Sequence, residues 1–151
     1  MCEEEASHRA FRALLDALAA PGRWSRTPAA DAEGALGLLR MAVWEDDPSV
    51  LVSGSRDVAA VIGSAGVGTE EEPECGATVV VLVDGSDESR VTMKGPGIAN
   101  ELVVQLPLGP AALDARQDAC AGYPLGVDIV FVDAKGRLLG LPRTTVLTGP
   151  R

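Results

Sequence analysis

Ala77-Thr78-Val79-Val80-Val81-Leu82-Val83 is an unbroken apolar run dominated by β-branched side chains. Such side chains are stiff at χ1 and fit a pleated strand. A half-solvated strand would alternate apolar with polar residues, and this one does not. It therefore has to be covered on both faces, as a central strand of an α/β sheet is. Val127 to Val132 reads as a second buried strand, although it carries a carboxylate, Asp128. Around these, Val50 to Ser53 and Leu102 to Leu106 read as strands. Arg90 to Met93 is expected to pair back on the central strand through the turn Asp84-Gly85-Ser86-Asp87. Leu138 to Leu141 and Thr144 to Leu147 are expected to finish the sheet, after a turn at Asp133-Ala134-Lys135-Gly136-Arg137.

Helical spacing separates the strands. Phe11, Leu14, Leu15 and Leu18 fall on one stripe, with Ser7 as N-cap and Pro21-Gly22 as stop. A second helix runs from Ala32 to about Trp44, a third from Arg56 to Ile62 after Ser55, and a fourth from Pro110 to Ala121. Interleaved helices and strands with hairpins define the expected fold class: a single α/β domain over residues 1–151, a three-layer mixed sheet flanked by helices.

Charge narrows the partners. The chain has 13 basic against 22 acidic residues, net −9, with runs at Glu3-Glu4-Glu5, Glu45-Asp46-Asp47 and Glu70-Glu71-Glu72. That field repels a phosphate backbone, so no nucleic-acid partner is expected. The acidic runs read as solvated ends and loops. Cys2, Cys75 and Cys120 have no Cys-x-x-Cys spacing and His8 is the one histidine, so no metal site is expected. Free thiols, an acidic N-terminus without an apolar core, and apolar runs too short to cross a bilayer predict a cytoplasmic protein without membrane or secretory segments. Nucleophilic sets built on histidine, a Walker loop and a dinucleotide-binding glycine fingerprint are all missing. The chain leans toward a non-catalytic or co-catalytic subunit.

Four stretches marked by glycine and proline remain to be explained. They are Phe11-Arg12 with Pro21-Gly22-Arg23, Gly95-Pro96-Gly97-Ile98, Tyr123-Pro124-Leu125-Gly126-Val127-Asp128, and Leu141-Pro142-Arg143-Thr144-Thr145. In this order they resemble the PhnH family, the H subunit of the bacterial carbon–phosphorus lyase system, from about Phe11 to Thr148. The chain departs from the family pattern between Ala29 and Thr69, which looks trimmed. The resemblance implies an α/β fold like the large domain of pyridoxal-phosphate transferases, without that cofactor. Neither lysine, Lys94 or Lys135, has the setting of a cofactor lysine, and no cofactor is expected. The resemblance further implies a role beside G-, I- and J-type subunits, in joining an alkylphosphonate to the ribose of ATP, and a homodimer when the chain is isolated. A small anion-binding protein acting alone is the alternative.

The candidate residues each have a structural reading beside a functional one. Gly95, Pro96 and Gly97 could hold an anion on backbone amides or simply form a rigid corner. Arg143 beside Thr144 and Thr145 suits a phosphate or carboxylate, with Arg143 and Thr145 on one face of a strand. Arg143 could equally pair with Asp128 or Asp133. Asp128, in its apolar run, reads as a salt-bridge partner ahead of a metal ligand or general base. Arg12, Arg23 and Trp24 near the first helix are candidate interface residues.

Overall fold

The computed structural model describes residues 1–65, 77–121 and 126–148. Helix α1 is Glu3–Ala19, strand β1 Ser25–Arg26, and α2 Ala32–Leu39, continued by a π-helical turn at Arg40–Trp44. Then come β2 (Val50–Gly54), α3 (Val58–Ala65), β3 (Ala77–Leu82), β4 (Ser89–Lys94) and β5 (Leu102–Leu106). The last elements are α4 (Pro110–Cys120), β6 (Val127–Val132), β7 (Arg137–Leu141) and β8 (Val146–Thr148). None of the described helices is long and apolar enough to cross a membrane.

The strands form two sheets. The larger has the order β1-β7-β6-β3-β2 and is mixed: β2, β3 and β6 are parallel, while β7 runs antiparallel to both β6 and β1. As its sequence requires, β3 has a strand on each side. The smaller sheet is antiparallel, in the order β5-β4-β8. Here the structure corrects the sequence reading twice. Strand β4 does not fold back on β3, and β8 does not extend the sheet of β7. Both belong to the second sheet, because the local turn signals fix where a strand ends but not which neighbour it pairs with.

Alternation along β3 and β6 fills two cores. Val80, Val130, Val132 and Leu138 face α1, α2 and Trp44. Val79, Val81, Ile129, Phe131, Leu139 and Leu141 face α3, α4 and the inner side of the second sheet through Val91, Met93 and Leu106. The larger sheet is thus covered on both sides.

Helix α1 starts earlier than its Ser7 suggests. Cys2 is its N-cap, and the Ser7 hydroxyl donates back to the Glu4 carbonyl. Its buried stripe is Ala10, Ala13, Leu14 and Ala17, while Leu15 is exposed. Small residues win because the helix lies directly on a strand: a Cβ added to Gly140 in β7 would run into the Ala17 carbonyl. Ser55 does not cap α3. Its hydroxyl instead accepts from the Asp84 amide and reaches the Leu82 carbonyl, tying the ends of β2 and β3 together.

Candidate functional site

Three turns bring the glycine- and proline-marked stretches together. After α1, the Arg23 amide donates to the Ala20 carbonyl, with Pro21 and Gly22 between them and Gly22 at φ +85°. After β4, the Ile98 amide donates to the Gly95 carbonyl, with Pro96 and Gly97 between them and Gly97 at φ +83°. Proline at the second position and glycine with positive φ at the third are what a type II turn demands. The two turns pack on each other: a Cβ at Gly97 would collide with the Ala19 carbonyl and crowd Pro21. Gly95, on the other side, lies against Thr144 and Thr145.

The third turn joins the two sheets. The Thr145 amide donates to the Pro142 carbonyl (3.0 Å), and Arg143 and Thr144 occupy the middle. The strand expected over Thr144 to Leu147 therefore begins only at Val146. Within the turn Thr144 is exposed, Arg143 half-buried and Thr145 buried. Tyr123, Pro124 and Leu125 lie outside the described residues. Gly126, at their end, packs against Arg143 and Cys120.

Asp128, at the start of β6, holds this turn. One of its oxygens, Oδ1, accepts from the Arg143 backbone amide (2.8 Å) and Nε (3.3 Å), and Oδ2 accepts from Nη2 (3.0 Å). Backbone and fork together make a charge-assisted clamp. Asp133 does a different task. Its carboxylate accepts from the amides of Lys135 and Arg137 and from Arg137 Nε (2.6 Å), closing the β6–β7 turn.

Arg116, on α4, grips the same turn from the opposite side, and the motif reading passes it over. Its Nη2 donates to the carbonyls of Pro142 (2.9 Å) and Thr145 (2.7 Å). The residue is only 4% exposed. Burial pushes its pKa down from the ordinary guanidinium value, opposed by Cys120 and Asp128. Among the described residues no carboxylate forms an ion pair with it. Among the described residues, its Nε and the Thr145 Oγ1 are buried without a hydrogen-bond partner. A sequence signal for Arg116 does exist: it lies three and four residues beyond Leu113 and Ala112, on the buried stripe of α4.

Between α4 and this turn is a cavity of about 280 Å³. Arg116, Arg143, Thr145 and Cys120 supply its polar side, and Val91, Leu113 and Leu147 its apolar side. Arg143 and Thr145 do share one space, though through a turn and not a strand face. Gly95, Pro96, Gly97, Asp128 and Thr144 do not line it. Arg12 is exposed midway along α1, and Arg23 is exposed in the turn after it. Trp24, 37% exposed, has the Arg137 guanidinium 5.2 Å over its ring. Among the described residues no group of three His, Cys, Asp or Glu side chains is placed to hold a metal ion.

Fold and site define a two-sheet α/β protein whose turn between the sheets is clamped by Asp128 on one side and Arg116 on the other. The chain matches the family described as bacterial phosphonate metabolism protein (PhnH) over residues 50–148. It belongs to the PhnH family, which implies a role in phosphonate metabolism. The match takes in three of the four marked stretches; the first lies before it. No curated protein matches the chain.

Proposed function

We propose that this protein is a subunit of the carbon–phosphorus lyase machinery. It supports the transfer of an alkylphosphonate to the ribose of ATP with loss of adenine, and it works in the cytoplasm beside G-, I- and J-type partners. The observation that carries this reading is the PhnH match over residues 50–148. The role is assembly, not bond-making. His8 is exposed on α1, Lys94 is exposed and 3.7 Å from Glu101, and Lys135 is exposed in a turn. None of the three lies in the cavity. A fold like the large domain of pyridoxal-phosphate transferases, serving as a scaffold, fits that role.

The acidic chain, net −9, suits basic partner surfaces, and Arg12, Arg23 and Trp24 are the exposed side chains offered to them. In isolation the chain forms a homodimer. Light scattering after size exclusion tests this reading. Mixed with its G-, I- and J-type neighbours, the protein is expected to elute in a larger stable complex, with phosphonate-dependent growth lost when its gene is deleted. Failure to associate at micromolar concentration, with growth on phosphonate unaffected, overturns it.

A further inference from the structure

We infer that the cavity between α4 and the β7–β8 turn binds a small oxyanion that carries a short apolar group. Arg116 is a buried cation among carbonyls, without an ion-pair partner among the described residues. A cation removed from water is costly unless a counter-charge meets it. The nearest candidate, Asp128, is committed to Arg143 through both its oxygens. Two polar groups of residues that line the cavity, Arg116 Nε and Thr145 Oγ1, are buried without a hydrogen-bond partner among the described residues, and such orphans are rare. Both can donate. An oxyanion is the one ligand class that supplies the missing charge and accepts from both groups.

The remaining walls set the other half of the ligand. Val91, Leu113 and Leu147 give an apolar side that a bare inorganic ion leaves unused. The volume, about 280 Å³, is near the low end of ligand pockets, roughly 300–1,000 Å³. It accommodates a small organic acid rather than a nucleotide. The net charge of −9 disfavours anions at the surface, so selectivity has to come from the guanidinium of Arg116, with Arg143 beside it in the lining already paired with Asp128.

The inference does not need the assembly role. Its test uses the isolated full chain, so failure of one leaves the other standing. Thermal unfolding and calorimetry would be run with propylphosphonate, methylphosphonate, propionate and inorganic phosphate. Propylphosphonate is expected to raise the melting temperature by about 3–6 °C at about ten times its dissociation constant. Inorganic phosphate should bind roughly tenfold more weakly for want of the apolar group. Whether propionate matches propylphosphonate separates a planar from a tetrahedral head group, both within the class.

Thr145→Val removes the orphan hydroxyl. It should leave the unliganded melting temperature unchanged or higher while weakening propylphosphonate about fivefold. Arg116→Gln should abolish binding if it folds, and Thr145→Val carries the test if it does not. No shift with any of the acids overturns the inference, and so does binding that Thr145→Val leaves intact. Equal affinity for phosphate and propylphosphonate overturns the apolar half.

Discussion

Asp128 holds Arg143 by the backbone amide as well as by the guanidinium, so one carboxylate fixes both the position of a turn and the direction of its side chain. Both residues are less than a third exposed, which spares the pair much of the screening that empties surface ion pairs of value. Asp128→Ala removes the ion pair to a half-buried cation and the acceptor of its backbone amide and is expected to cost about 2 kcal/mol. Asp128→Asn keeps an oxygen for the amide and should cost about half as much. Urea unfolding of the two variants checks the order. Equal losses would show that the backbone bond contributes nothing.

The corner at Gly95-Pro96-Gly97 gives a sharper contrast. Gly97→Ala faces both a positive φ and a collision with the Ala19 carbonyl, whereas Gly85→Ala, at φ +78°, meets only open space. The conformational term alone is about 1 kcal/mol. Gly85→Ala should therefore lose about 1 kcal/mol and Gly97→Ala more than about 2 kcal/mol, read as shifts in denaturation midpoint.

At the β6–β7 turn the carboxylate matters more than its partner. Asp133 is buried and accepts from two amides and from Arg137, while Arg137 also covers Trp24. Asp133→Ala is expected to cost about 2 kcal/mol and Arg137→Ala about 1 kcal/mol. Trp44 is buried, so a change in tryptophan emission on Arg137→Ala would report Trp24.

Acid should act on Asp47. Hydrogen bonds from the Ser49 hydroxyl and amide hold its carboxyl below the usual value of 3.8. A folded value below the unfolded one means a contribution that is complete above about pH 3.8 and lost as the pH falls through the lower folded value. Ser49→Ala should raise the Asp47 pKa toward 3.8, measured by carboxyl NMR titration. An unchanged titration would show that the hydroxyl bond is not formed in solution.

Much of this was readable beforehand. The Ala77–Val83 run placed the central strand because continuous β-branched burial has few other homes, and β6 matched its expected bounds from Val127 to Val132. The pairing of Arg143 was narrowed to Asp128 or Asp133 by asking what a buried charge needs; local turn geometry assigned Asp133 to Arg137. The second sheet was not legible, since pairing of β4 with β8 spans about a third of the chain and no turn encodes it. Nor was the stripe of α1, where alanines bury and Leu15 does not, because what decides it is the bare backbone of Gly140 on a distant strand. Arg116 escaped notice because a charge within a helix reads as solvated unless its face is worked out first.

That meeting of Ala17 with Gly140 bears on how the protein is made. Helix α1 has its docking site on a strand translated long after it, and Trp44 likewise shares its cluster with Val130 and Leu138. Until those strands emerge, the early helices can pack only on one another. Packing of α1 therefore waits for strands far along the chain, and the slow step of folding should be the closing of long loops and not the winding of helices.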